Sequence, residues 1–150
     1  VVSVYPLWKA DDCTSDPGDG KTTLVLNIAA KLSKGEGLDS KMKLTEPLNV
    51  IYQSAEDGLA DTVKPRLETA GANCENISVI DESIKSLSMI DERLEEAVIR
   101  TKAKLLILDP IQAYLGGGMD MNRANEIRPY FDISVRLQRE LDVPLFSLDI

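Results

Sequence analysis

The chain has 150 residues, of which 43% are hydrophobic and 28% charged, with a net charge of −8 and no histidine. Its length and composition are those of a single soluble globular domain with a substantial core. The acidic balance excludes nucleic-acid binding through a general positive field. The lack of histidine excludes histidine-based acid–base chemistry, histidine metal sites and Ser-His-Asp triads.

Short β-rich segments alternate with helical segments along the chain, which is typical of a parallel sheet covered by helices. Pro65 is expected to divide one of these helices into two short pieces. Leu87, Ile90, Leu94, Ala97 and Val98 are expected to face inward from another. The predicted helices are 23–32, 57–72, 86–101 and 122–141, and the predicted strands are 49–54, 76–80, 104–110 and 143–148.

No apolar run approaches the ~20 residues that cross a bilayer. The apolar segment Val1–Trp8 is short, lacks a basic flank and is followed by acidic residues, so neither a signal peptide nor membrane contact is expected. The two cysteines, Cys13 and Cys74, lack metal-binding spacing and are expected to be reduced thiols. These features predict a cytoplasmic protein.

A glycine-rich stretch leads directly into the first predicted helix. In such a phosphate loop, Gly18 and Gly20 let consecutive backbone N–H groups point at a phosphate. Lys21 can then reach the terminal phosphates, and the Thr22 hydroxyl can ligate Mg²⁺. The usual pattern has glycine where this chain has Ser15, which weakens the match. The alternative is a glycine-rich turn that carries Lys-Thr by chance. The stretch reads Asp16-Pro17-Gly18-Asp19-Gly20-Lys21-Thr22-Thr23.

Two acidic positions follow predicted strands, at the edge where open α/β sheets bind ligands. Glu56 can polarise a water for attack on a γ-phosphate, while Asp57 alternatively caps the next helix; these two roles are compatible. Asp109 ends the apolar run 105–109 and can hold Mg²⁺ through a water or through the Thr22 hydroxyl. Its alternative is a buried strand followed by an Asp-Pro turn.

Taken together, three segments resemble the RecA-type P-loop ATPases related to the RepA hexameric replicative helicase of phage and plasmid replication modules. The resemblance runs from about Ser15 to about Leu145. It implies an α/β, RecA-like three-layer αβα sandwich with a mainly parallel sheet, in which residues 1–150 form one ATPase domain that is truncated at both ends. The segments are DPGDGKTT, VIYQSAEDGLADTVKPRLETAGA and LLILDPIQAYLGGGMDMNRANEIRP.

The resemblance also implies binding and hydrolysis of ATP with Mg²⁺. Glu56 and Lys21 would be the catalytic residues, and Thr22 and Asp109 the metal residues. Four polar residues of one loop would lie near the nucleotide or a neighbouring subunit. A role as a polar loop and helix cap explains them equally well. They are Asp120, Asn122, Arg123 and Arg128. The ATP-binding residues would be Asp16, Pro17, Gly18, Asp19, Gly20, Lys21, Thr22 and Thr23.

The sequence departs from the family at two places. The polar segment Lys9–Ser15 stands where the family has an apolar strand entering the phosphate loop, so either Val1–Leu7 supplies that strand or it is missing. The polar sensor and the arginine finger that follow the last strand in the family are also missing before Ile150. Since an arginine finger is worth on the order of 10³ in rate or more, slow turnover at best is expected.

The family further implies a ring-shaped homo-oligomer, and DNA as a partner of the full-length protein but not through this acidic chain alone. Two other functions remain open. One is a nucleotide-binding fragment that assembles without hydrolysing ATP, because the strand, sensor and finger are absent. The other is a small-molecule P-loop kinase, which the length allows, although no basic lid segment is present and the 110–128 loop does not suit it.

Overall fold

The computed structural model describes residues 3–6, 20–39, 41–55, 58–116, 124–141 and 145–147. The strands of this part form one sheet in the order β1-β3-β2-β4-β5. Strands β3, β2, β4 and β5 run parallel, and β1 is antiparallel to β3. The predicted α/β class and mainly parallel sheet are therefore confirmed. The strands are β1 (Val4–Pro6), β2 (Val50–Ser54), β3 (Ile77–Ile80), β4 (Leu105–Asp109) and β5 (Leu145–Ser147).

Helices cover both faces of this sheet. Apolar side chains of α1 and α2 form one buried cluster with the sheet, and those of α3 and α4 form a second cluster on the opposite face. None of the described helices is long and apolar enough to cross a membrane. The helices are α1 (Gly20–Lys34), α2 (Lys64–Thr69), α3 (Glu92–Thr101) and α4 (Ala124–Glu140), with a π-helical turn at Leu59–Val63 and 3-10 turns at Cys74–Asn76 and Ile111–Tyr114.

The alternation of side chains along a strand decides which residues face α1. Tyr52 and Ile107 belong to the cluster on the α1 face, whereas Ile51 and Leu106 belong to the cluster on the opposite face. Asp109 follows Ile107 by two positions, so its side chain projects from the α1 face as well. The predicted metal residue and the phosphate-loop helix therefore lie on the same side of the sheet.

The strand formed near the start of the chain differs from the expected one. Val4 pairs with Ile80 and Pro6 with Ser78, so β1 runs opposite to its neighbours at the edge beyond β3. Its last residue thus lies beside the start of β3, away from the edge at which the parallel strands end. The interpretation that Val1–Leu7 supplies the strand running into the phosphate loop is wrong. Residues 7–19 lie outside the described part.

The helix predicted over 86–101 begins later, at Glu92. Asp91 caps the helix, because its side chain accepts a hydrogen bond from the backbone N–H of Arg93 at 3.1 Å. This cap places the start of the helix later than the spacing of the apolar residues predicts. Ile90 is consequently 53% exposed rather than inward-facing. The other inward predictions are confirmed, since Leu87, Leu94, Ala97 and Val98 are all buried.

The segment around Pro65 does consist of two short pieces, as predicted. The π-helical turn leads directly into α2, and Pro65 occupies the first turn of α2. Pro65 therefore lies close to the point where the π-helical turn changes to an α-helix, and the two pieces follow each other without an intervening loop.

One guanidinium holds the loop between β3 and α3. Arg93 donates from Nη2 to the Asp91 carboxylate at 2.8 Å and to the carbonyl of Ser86 at 2.8 Å. It also donates from Nη1 to the carbonyls of Lys85 at 3.0 Å and Asp81 at 3.4 Å. The hydrogen bond from Arg93 lowers the pKa of Asp91 to about 2. The guanidinium thus joins three carbonyls of the loop to the carboxylate that caps α3.

Replacing Arg93 by Met should lower the free energy of unfolding by about 1–2 kcal/mol, because three carbonyls and the Asp91 carboxylate lose their hydrogen bonds from the guanidinium. Thermal unfolding followed by circular dichroism measures this loss. Arg139→Met changes an exposed arginine on α4 and serves as the matched control. Equal melting temperatures for both variants would contradict the assigned role.

The same pair predicts a pH dependence. The pKa of Asp91 is lower in the folded chain than its ordinary value of 3.8, so its contribution to stability is complete above about pH 4 and is lost as the pH falls towards about 2. The stability difference between wild type and Arg93→Met should therefore shrink over this range. A difference that stays constant between about pH 5 and about pH 2.5 would exclude this linkage.

Candidate functional site

Three elements meet at one edge of the sheet. Ser54 at the end of β2 is paired with Asp109 at the end of β4, and the N–H of Ala55 donates to the carbonyl of Asp109 at 3.0 Å. Helix α1 begins at Gly20, so Thr22 lies in its first turn. The edge at which parallel strands end is the usual ligand-binding edge of an open α/β sheet.

The carboxylate of Asp109 lies at the centre of this edge and is only 7% exposed. The hydroxyl of Thr22 donates to Asp109 Oδ2 at 3.5 Å. The hydroxyl of Tyr52 donates to the same oxygen at 2.9 Å. The structure thus brings together Thr22 and Asp109, the two residues for which the sequence predicts a metal role, although they are far apart in the chain.

The chemistry of this donor set suits magnesium. A carboxylate and a hydroxyl are hard oxygen ligands, and Mg²⁺ in proteins takes one or two such groups together with phosphate oxygens and waters. The described part of the chain holds no group of three or more His, Cys, Asp or Glu side chains that could form an all-protein metal cage. The residues therefore fit a magnesium ion that is shared with a bound phosphate.

The start of α1 adds the second requirement of a phosphate site. The first backbone N–H groups of a helix have no partners within it, and the helix dipole favours an anion there. The first turn of α1 carries no acidic residue that would compete with a phosphate, and its last turn carries Lys31 and Lys34. Thr23 is exposed on the outer surface of the helix.

Several predicted site residues lie outside the described part of the chain. Arg128 is described and lies exposed on α4. Gly20 and Lys21 have a described helical backbone, but the side chain of Lys21 is not described. The roles proposed for these residues stay predictions. Those outside the described residues are Asp16, Pro17, Gly18, Asp19, Glu56, Asp57, Asp120, Asn122 and Arg123.

Tyr52 is the site residue that the sequence analysis missed. It stands opposite Ile107 in the pairing of β2 with β4, so Asp109 is its diagonal neighbour on the same face. Long aromatic side chains reach such a neighbour. The signal was an aromatic residue two positions before the strand end, but it has meaning only once the register of the two strands is known.

On the other face, Gln53 joins the ends of β2 and β3. The backbone pairing of these strands includes Ile51 with Ser78. Closer to the strand ends, the side chain of Gln53 makes the hydrogen bonds that connect β2 to β3. Its Oε1 accepts from the N–H of Ile80 at 3.0 Å, and its Nε2 donates to the carbonyl of Ile80 at 3.1 Å and to Glu82. This buried amide fixes the end of β2, next to the predicted catalytic segment.

A cavity of about 550 Å³ opens between the ends of β2 and β3. The buried Tyr114 borders it, and within the described residues its hydroxyl has no hydrogen-bond partner. Burial, with the nearby charges of Glu82 and Asp109, raises the pKa of Tyr114, so this phenol stays protonated. The polar residues that line the cavity include Gln53, Ser54, Asp81, Glu82, Ser83 and Ser86.

The model of an AAA domain family, AAA_25, matches residues 13–148. This range contains the predicted phosphate loop, the ends of β2 and β4, and α4. The chain belongs to this AAA domain family. AAA domains are generally ATPases, so the match supports ATP binding by an ATPase-type domain. Among curated proteins, none matches the sequence.

Replacing Gln53 by Leu in this AAA domain should lower the free energy of unfolding by about 1–3 kcal/mol. The substitution leaves the buried N–H and C=O of Ile80 without the partners that Gln53 supplies. Urea unfolding measures the change. Gln138→Leu alters an exposed glutamine on α4 and should leave the midpoint near that of wild type. A wild-type midpoint for Gln53→Leu would show that the strand ends are held by other contacts.

Proposed function

We propose that this chain is the Mg²⁺-dependent ATP-binding and ATP-hydrolysing core of a RecA-like replication ATPase of the RepA type. The observation that carries the proposal is the approach of the Thr22 hydroxyl to the buried Asp109 carboxylate, 3.5 Å apart at the sheet edge beside the start of α1. A hydroxyl from the phosphate-loop helix and an acid from a neighbouring strand end are the protein groups that hold Mg²⁺ on a nucleoside triphosphate.

Each part of the phosphate loop has a role in this proposal. The amides around Gly18 and Gly20 and the first N–H groups of α1 bind the phosphates, and Lys21 pairs with the terminal phosphates. Thr22 and Asp109 hold the metal, whose charge neutralises the phosphate oxygens when it is bound. Glu56, which follows the end of β2, accepts a proton from the attacking water. The other predicted contacts come from Asp16, Pro17, Asp19 and Thr23.

The wider setting of the proposal rests on the sequence segments that resemble RepA-type helicases. A homo-oligomeric ring in the cytoplasm, acting on DNA through parts of a longer protein, agrees with the net charge of −8 of this chain, because an acidic surface does not attract DNA by itself. The polar residues Asp120, Asn122, Arg123 and Arg128 would then lie towards the nucleotide or a neighbouring subunit.

A second candidate is a nucleotide-binding module that assembles without hydrolysing ATP. The position of β1 favours it, because this strand lies antiparallel at the far edge of the sheet. Within the described residues, no strand runs into the phosphate loop, and a loop without such support holds its ligand less precisely. Binding and hydrolysis therefore need separate tests.

Lys21→Ala should weaken the binding of a fluorescent ATP analogue in the presence of Mg²⁺ by about tenfold or more. The reason is the loss of a charge-assisted contact worth about 1.5–3 kcal/mol. Lys31→Ala, an exposed lysine in the last turn of the same helix, is the matched control and should bind as wild type does. Equal affinities for Lys21→Ala and wild type would refute the proposed phosphate site.

Glu56→Gln distinguishes the ATPase from the binding module. If Glu56 activates the water, phosphate release should fall by on the order of 10²–10⁴ while nucleotide affinity is retained. Glu68→Gln, an exposed position on α2, controls for the change of charge. Phosphate release that is absent in wild type would favour the module. Phosphate release that is measurable and equal in wild type and Glu56→Gln would remove the catalytic role of Glu56 and exclude the non-hydrolysing module.

A further inference from the structure

We infer that Tyr52 is a positioning residue for Asp109, and that its hydroxyl holds the carboxylate in the orientation that magnesium binding requires. The inference rests on the proposed function of the site and adds a residue that the phosphate-loop and acidic motifs do not include. It follows from the distances, the strand register and the burial of the two side chains.

The hydrogen-bond distances show which hydroxyl holds the carboxylate. Tyr52 and Thr22 both donate to Asp109 Oδ2, at 2.9 Å and 3.5 Å respectively. The first is a normal hydrogen-bond length and the second lies at the outer limit. Tyr52 therefore makes the stronger of these two contacts, and the orientation of Asp109 depends on it more than on Thr22.

The register of the sheet makes Tyr52 a rigid donor. It stands opposite Ile107 in a pairing that runs from Val50–Leu105 to Ser54–Asp109, and its side chain is 0% exposed within the α1-face cluster. A tyrosine has only two side-chain torsions, and close packing restricts both. The hydroxyl thus reaches Asp109 from a fixed position.

A donor of this kind leaves Thr22 available for the metal. A hydroxyl has one proton to donate and two lone pairs to offer. Because Tyr52 already donates to Oδ2, Thr22 can turn its hydroxyl towards a metal without leaving that buried oxygen unpaired. Carboxylates that bind metals are generally supported by such outer hydrogen bonds, and their loss typically weakens metal affinity 10–100-fold.

The test is the magnesium dependence of nucleotide binding in Tyr52→Phe. A fluorescent, non-hydrolysable ATP analogue is titrated at a series of Mg²⁺ concentrations and in excess chelator. We expect the Mg²⁺ concentration at half-maximal effect to rise about tenfold or more, with metal-free affinity unchanged. Tyr52→Leu also removes the donor and gives the same shift, so either variant that folds decides the question.

Tyr114→Phe is the matched control. It removes the hydroxyl of an equally buried tyrosine on the opposite face of the sheet, one that has no hydrogen-bond partner within the described residues. Its magnesium curve should superimpose on that of wild type. Circular dichroism and melting temperature show that each variant is folded.

The outcomes separate this role from the function on which it rests. A folded Tyr52→Phe with the wild-type magnesium curve overturns the role of Tyr52 alone. A reduced metal-free affinity with an unchanged magnesium response does so as well, because it indicates a merely structural effect. If wild type binds the analogue no better than Lys21→Ala does, the proposed phosphate site fails, and the role of Tyr52 fails with it.

Discussion

The parallel pairing of β2 with β4 is the constraint on which the site depends. It runs without interruption from Val50–Leu105 to Ser54–Asp109, and it ends both strands at the same edge. Because side chains alternate along a strand, the same register sends Tyr52 and Asp109 to the α1 face and Gln53 to the other. A shift of one residue would turn the buried carboxylate away from the phosphate-loop helix.

Asp109 is buried and accepts hydrogen bonds from two hydroxyl groups. A carboxylate that is 7% exposed is costly unless it accepts hydrogen bonds, and Tyr52 and Thr22 both donate to it. A carboxylate and a hydroxyl are oxygen ligands that suit a divalent cation, which agrees with membership of an AAA domain family.

The two faces of the sheet carry different groups of polar residues. The α1 face carries Thr22, Tyr52 and Asp109. The opposite face carries the supports, in which Gln53 ties β2 to β3 and Arg93 holds the loop before α3. Their contribution is to hold the end of β2 and the loop before α3 in place.

The sequence by itself determined the α/β class, the three central strands and the choice of Thr22 and Asp109 as candidate metal residues. These follow from local information, namely apolar runs of strand length and residue types suited to phosphate and metal. It did not determine the start of α3, because the Asp91 cap decides that boundary against the apolar periodicity. Nor did it give the direction of β1, which depends on the partner that the strand finds at the sheet edge.

The role inferred for Tyr52 belongs entirely to the tertiary structure. Nothing in the order of residues states which strands are neighbours or in which register they pair, and only that pairing makes Asp109 the diagonal neighbour of Tyr52. A motif records which residue types chemistry requires, whereas the packed sheet decides which other side chains lie within hydrogen-bond distance of them.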